Sequence, residues 1–258
     1  MQHMPFAPAT PSTSTSTSTS TSTSTSTSTP TPTPAAGRHD LYQAIHKALR
    51  RLYADTLVRL GQADPDDDAA LAPMLAQVRM LCEICEVHYA DEDRFLHPAL
   101  ERVEPGCTTA IAAEHKAHRA TLDAVRERAA VVEASRGATR RQALNRLYQD
   151  VAVLMAEDLI HMRVEDEDFN AVLWRHHDDA ALQALEGALV ATIPPAVMMA
   201  TLPWMIGALN APERAAFLGG ARQGMPPPVF EAVVAIARQE LPPAEWLKLA
   251  AALQLPPQ

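Results

Sequence analysis

Four stretches of this chain repeat apolar residues at helical spacing, and in all four the apolar stripe is broken near its middle by histidine. The first, over about residues 38–60, aligns Tyr42, Ile45, His46, Leu49, Leu52, Tyr53, Leu57 and Leu60. The second, from the acidic run at Asp66 to Pro105, aligns Leu75, Val78, Cys82, Cys85, His88, Glu92 and Leu96. The third, over about 107–135, aligns Ile111, His115, His118, Leu122, Val125, Ala129 and Val132. The fourth, over about 139–175, aligns Tyr148, Val151, Leu154, Met155, His161, Glu165, Phe169 and Val172. Gly61, Pro65, Pro105, Gly106 and Gly137 separate them as turn signals. Connections this short favour antiparallel neighbours, so the predicted fold is all-α, an up-down four-helix bundle over residues 38–188. Plentiful Ala and Leu, with aromatics at only 5 %, suit helices rather than sheets.

Flanking segments read differently. Residues 12–29 are a Ser-Thr alternation followed by Thr-Pro repeats. Such a sequence cannot bury enough apolar surface to offset its ordering entropy, so residues 1–37 are expected to form a disordered tail. Residues 189–258 are expected to form a small helical extension. "LNAPERAAFL" and "LPPAEWLKLA" both look like helix starts with Pro in the first turn. The extension packs on the bundle, joins two copies or receives a protein partner; no catalytic constellation is visible in it. Gly187 to Pro212 contains no charged residue, but Pro194, Pro195 and Pro203 interrupt it, and buried helices are the expectation rather than a membrane span.

The histidines pose the chemical question. His88 lies four residues before Glu92, and His161 four before Glu165, so each pair shares a helix face. Imidazole and carboxylate turned into a bundle core need partners, because unpaired buried charge is costly. Four helices each bringing imidazole, two also bringing carboxylate, satisfy one another by holding metal. Mixed nitrogen and oxygen donors around two ions suit iron, with the two glutamates as bridges. An internal echo points the same way: "HKALR" at 46–50 resembles "HKAHR" at 115–119. Each precedes an H-x-x-x-E-D segment, after 42 residues (His46 to His88) and 46 residues (His115 to His161). Two helix pairs related by a pseudo-twofold axis are the expected arrangement.

Other residues carry blander expectations. His39 is about two turns from His46 and marks the helix start; His97, His176 and His177 sit at helix ends, where solvation is the default. His115 and His118 share the seam, and His118 is either a ligand or the partner of one. Cys82 and Cys85 form a lone C-x-x-C on an inward stripe and read as small buried thiols. In the acidic clusters at 91–93 and 166–168, only Glu92 and the preceding Glu165 are expected to point inward.

"IHKALRRL", "HYADEDRFLHPAL", "EHKAHRATL" and "LIHMRVEDED" together resemble the bacterial hemerythrin-like (HHE cation-binding) branch of the hemerythrin family, over about residues 39–185. The resemblance implies a non-haem di-iron centre in a four-helix bundle. Carried over, His46, His88, His115, His118 and His161 are terminal ligands, and Glu92 and Glu165 are bridges. The chain departs from the oxygen-carrying members in two places. Their third helix has His-x-x-x-His where Arg119 stands here, and their last helix has a five-residue His-to-Asp step where this one has four residues, ending in Glu165. The function implied is binding or sensing of oxygen, nitric oxide or related oxidants. The alternatives are a di-iron enzyme acting on peroxide or oxygen, or a helical interaction module with structural histidines.

A net charge of −9 argues against nucleic acid and anionic membranes as partners. Three cysteines do not make a disulfide framework, and no apolar leader is present, so a cytoplasmic location is expected.

Overall fold

Helices account for the regular structure of residues 37–255, the part of the chain described by a computed structural model. Residues 1–36, with the expected disorder of the tail and His3, lie outside it. The first long segment is α1 (Gln43–Gln62). It starts later than its stripe because Asp40 Oδ1 accepts the backbone N–H groups of Tyr42 and Gln43, 2.9 and 3.0 Å away, and so marks where the helix begins. The second runs through α2 (Asp68–Asp91), a π-helical turn Glu92–Leu96 and α3 (His97–Val103). Asp67 caps it by accepting from Ala70 N. The third is α4 (Thr109–Ala134). The fourth runs through α5 (Gly137–Val164), a second π-helical turn Glu165–Phe169 and α6 (Asn170–His176).

Two glycines make the turns. Gly106 (φ 88°) and Gly137 (φ 59°) take backbone angles that a side chain would strain. Arg140 closes the same end of the molecule: its buried guanidinium donates to Pro65 O at 3.0 Å and Ser135 O at 2.8 Å and pairs with Asp68. It thereby ties the connection after α1 to the one after α4.

α1 packs on α2 and α5, and α4 packs on α2 and α5, which closes a ring of four. The stripes face inward nearly as spaced. Leu49, Leu52, Leu75, Val78, Leu122, Val125, Val151 and Leu154 form part of one apolar cluster. A second cluster, nearer the other end, holds Tyr42, Leu96, Leu100, Ile111, Phe169 and Val172. On each helix the histidine lies between a residue of the first cluster and one of the second. The exception to the stripes is Tyr148, which is 37 % exposed. Its ring lies over Gly61, where an added Cβ would come within 3.3 Å of it, and Leu144 and Leu147 fill the core in its place.

Beyond the fourth segment come α7 (Asp179–Val190), α8 (Pro195–Ala208), α9 (Ala211–Gly224), α10 (Pro227–Glu240) and α11 (Pro243–Leu253). Among the described residues, no helix is long and apolar enough to cross a membrane. α8 lies against α1 and α2 and joins α10. Arg51 of α1 donates to Pro203 O at 3.1 Å and lies 5.3 Å from the centre of the Trp204 ring, while Lys47 pairs with Glu213 at 2.6 Å. Gly207 is small because Arg51 passes there: a Cβ would sit 1.5 Å from its Nη1. Leu202, Ile206, Leu218, Val233, Trp246 and Leu249 give the extension its own apolar cluster.

One buried cation organises that cluster. Arg214 is 5 % exposed and donates to Ile206 O at 2.7 Å and Leu209 O at 2.6 Å, satisfying carbonyls that the end of α8 leaves free. Its Nη1 also reaches Glu245 at 3.3 Å. Arg214→Leu should therefore cost about 2–3 kcal/mol, the range for lost hydrogen bonds to a charged group with buried acceptors left behind. Urea unfolding of the two proteins measures this; an unchanged midpoint would show that the carbonyls find other partners.

Candidate metal centre

His46 comes from α1, His115 from α4 and His161 from α5, and His88 with Glu92 straddles the junction of α2 and its π turn. Glu165 opens the second π turn. A π turn widens the helix by one residue and is frequent at functional sites. Both here begin at the inward glutamate, and both put the aspartate that follows it to use.

The six side chains meet in two groups of four, and both groups contain Glu92 and Glu165. His46 and His88 complete one; His115 and His161 complete the other. Within each, the donor atoms lie within 4.8 Å of one another. The carboxylates divide their oxygens between the groups. Glu92 Oε1 is 3.3 Å from His88 Nε2 and 3.8 Å from His46 Nε2, while Oε2 is 3.3 Å from His115 Nε2. Glu165 Oε2 is 3.4 Å from His46 Nε2, while Oε1 is 3.3 Å from His161 Nε2.

These separations are long for hydrogen bonds. They suit donors sharing an ion, since two atoms each about 2.1 Å from a cation lie about 3–4 Å apart. The polar inventory agrees. His46 Nε2, His88 Nε2 and all four oxygens of Glu92 and Glu165 are buried without a hydrogen-bond partner. Native interiors rarely leave such atoms unsatisfied without an unrecorded water or ion. His115 Nδ1 faces Asp93 at 2.8 Å and His161 Nδ1 faces Glu114 at 2.9 Å. If both Nδ1 atoms donate, two Nε2 lone pairs face each other across 3.0 Å, a position that asks for a cation or a proton.

Behind the imidazoles stands a symmetric support. Asp166 Oδ1 accepts from His46 Nδ1 at 2.7 Å, and Arg50 holds the other oxygen of Asp166 at 2.6 Å. Asp93 Oδ1 lies 2.8 Å from His115 Nδ1, and Arg119 holds its other oxygen at 2.8 Å. The "HKALR" and "HKAHR" echo is thus a His-x-x-x-Arg pair that grips one aspartate from another helix. Asp93 and Asp166 correct the expectation that only the glutamates of the acidic clusters turn inward. The signal was the repeated acid immediately after each glutamate, read with the repeated arginine. Arg119 anchors Asp93 rather than standing as a free cation on the seam. His97 is a second correction: it is buried, its ring stacks on His115 at 5.1 Å, and its Nδ1 lies 3.2 Å from Asp93.

His118 lies outside both groups. Its Nδ1 is 3.0 Å from Asp158 Oδ1, and its ring meets His161 edge-on at 5.2 Å. Asp158 is 1 % exposed and was missed from sequence, although its place between Leu154 and His161 keeps the inward period. It also accepts hydrogen bonds from the hydroxyls of Tyr53 and Tyr89, the latter at 2.6 Å. The Tyr53 hydroxyl lies 3.2 Å from Cys85 Sγ. Cys82 and Cys85 are buried free thiols, as their spacing indicated. His39 pairs with Glu186 at 3.0 Å, away from the centre.

Charge in the metal-free site is shared unevenly. Burial pulls the His46 imidazole down, but the hydrogen bond to Asp166 and the nearby carboxylates of Glu92 and Glu165 outweigh it and raise its pKa to about 10. Burial likewise opposes, and Glu165 with Glu114 outweighs it, to raise His161 to about 9. His88 goes the other way, pushed down to about 4 by burial, with Glu92 compensating only in part.

The fold and the site together define a helical cation-binding protein with a buried centre of imidazoles and carboxylates. Residues 39–173 match the hemerythrin HHE cation-binding domain, and the chain belongs to that family. No curated protein and no solved structure gives a significant match.

The pKa shifts fix a pH dependence for the metal-free protein. His46 and His161 titrate near 6.5 when unfolded and higher when folded, so their contribution is complete below pH 6.5 and is lost as pH rises towards 9–10. His88 is depressed, so its contribution is lost as pH falls from 6.5 towards 4. Thermal unfolding of chelator-treated protein should show a melting temperature that peaks near pH 6.5 and falls on both sides. A melting temperature still climbing at pH 9 would contradict it.

Proposed function

We propose that residues 38–188 form a hemerythrin-type four-helix bundle holding two non-haem irons, and that it binds dioxygen, nitric oxide or a related small oxidant. One observation carries this reading: two four-donor groups share two buried carboxylates whose oxygens are divided between them and otherwise lack partners. In it, Glu92 and Glu165 bridge, His46 and His88 serve one ion, and His115 and His161 serve the other. Imidazole nitrogen with carboxylate oxygen suits iron as it suits zinc or manganese, and two carboxylates shared between two such sites inside a helical bundle favour iron. His118 takes a supporting place instead, with its Nδ1 3.0 Å from Asp158 Oδ1.

Two ferrous ions supply, when bound, the reducing electrons and the open coordination positions that such ligands require. The chain's own residues do the rest. Asp166, Asp93 and Glu114 hold the Nδ1 protons of His46, His115 and His161, which turns each Nε2 towards the centre and raises its basicity. The apolar clusters on either side exclude water. The Tyr42 hydroxyl is buried and unpartnered. Burial first, then the charges of Glu165 and Glu92, raise its pKa well above that of an ordinary tyrosine, so it keeps its proton as a donor for a small bound ligand.

Elemental analysis of freshly purified protein should give two irons per chain. The ferrous form should change its visible spectrum on exposure to nitric oxide. A reproducible single ion, zinc in place of iron, or a spectrum indifferent to both nitric oxide and oxygen would sink the proposal.

The ligand set has its own test. Glu92→Ala or Glu165→Ala should drain both ions and lower the melting temperature, because bound metal stabilises only the folded state. His118→Ala should keep both ions. Loss of iron from the His118 variant, with retention in the glutamate variants, would reverse these assignments.

A further inference from the structure

The pseudo-twofold relation exposes a mismatch. His46 corresponds to His115, His88 to His161, Glu92 to Glu165, Asp93 to Asp166 and Arg50 to Arg119. In three of the four imidazoles the nitrogen turned away from the centre meets a carboxylate: Asp166 at 2.7 Å from His46, Asp93 at 2.8 Å from His115 and Glu114 at 2.9 Å from His161. For His88 no hydrogen bond is present among the described residues. The reason lies in the sequence. Glu114 immediately precedes His115, and the equivalent residue before His46 is Ile45, which packs against the apolar cluster instead.

Exposure follows the same division. His88 is 8 % exposed, whereas His46, His115 and His161 are 0 to 1 % exposed. Of these four imidazoles, the one without a carboxylate behind it among the described residues is thus also the most exposed. A carboxylate on the outer nitrogen fixes the tautomer, holds the ring and strengthens the donor on the other side. Removing such a partner typically costs 10–100-fold in metal affinity.

We infer that the two metal positions are unequal: the ion on His46 and His88 is exchangeable, and the ion on His115 and His161 is retained. The inference rests on the two-ion reading above. It gives the protein a state with one ion per chain, reached when metal is scarce, that keeps the His115 side assembled. Glu92 and Glu165 remain anchored in that state by the retained ion. Refilling then needs only the His46 and His88 side to close.

The test uses the full chain loaded anaerobically with ferrous iron and mixed with excess bipyridine, which colours as it captures iron. Wild-type protein should release its iron in two phases of one equivalent each, with rate constants at least about 10-fold apart. Glu114→Ile, which makes the second half match the first, should speed the slow phase about 10-fold and leave the fast phase alone. Glu114 is about half-exposed, so this variant is expected to fold, and circular dichroism checks that it does. Ile45→Glu should do the converse and slow the fast phase. Release of both equivalents in one phase from wild type, or equal acceleration of both phases by Glu114→Ile, overturns the inference and leaves the two-ion reading standing. A fully loaded chain that carries fewer than two irons overturns the two-ion reading itself.

Discussion

Everything near the middle of this molecule answers to two carboxylates placed where water cannot reach them. Glu92 is 1 % exposed and Glu165 is fully buried. Two such charges side by side are strongly unfavourable in a low-dielectric interior unless cations or protons stand with them. Four imidazoles converge on them, one each from α1, α2, α4 and α5. Without metal, raised histidine pKa values supply positive charge by holding protons. With metal, the same nitrogens must be neutral, so binding exchanges protons for ions. The folded state is arranged to satisfy the carboxylates under both conditions.

The support behind the imidazoles shows how a duplicated sequence pattern becomes rigid geometry. Each His-x-x-x-Arg pair spans one turn of its own helix and grips an aspartate from the π turn of another helix. The aspartate reaches because the π turn begins one residue before it, at the glutamate that faces the centre. A single inserted residue therefore lets two consecutive acids serve one site, one towards the centre and one behind a histidine. Asp158 adds a second buried acid nearby, satisfied by Tyr53, Tyr89 and His118. The C-terminal helices bear on the same structure through α8, whose docking on α1 uses Arg51 and the space left by Gly207.

Helix content, the four stripes and the inward placing of the six converging imidazoles and carboxylates were legible in the sequence, because helical periodicity fixes which residues share a face before any packing is known. His88 with Glu92 and His161 with Glu165 needed only the four-residue step. The buried thiols and the turns at Gly106 and Gly137 followed from equally local rules. What remained hidden depended on neighbours from other helices. Tyr148 sits on the inward period yet lies over Gly61, because the space beneath it belongs to α1. His97, beside a proline at a helix start, is drawn inside by stacking on His115. Asp93 and Asp166 look like solvated acids until the arginines of another helix are beside them. His118 shares the inward face with His115, but it meets Asp158 of α5 rather than the converging carboxylates. Periodicity determined the donors each helix offers; only the tertiary structure decided which partner each donor meets, because pairing across helices depends on their rotation and separation, which no single segment encodes.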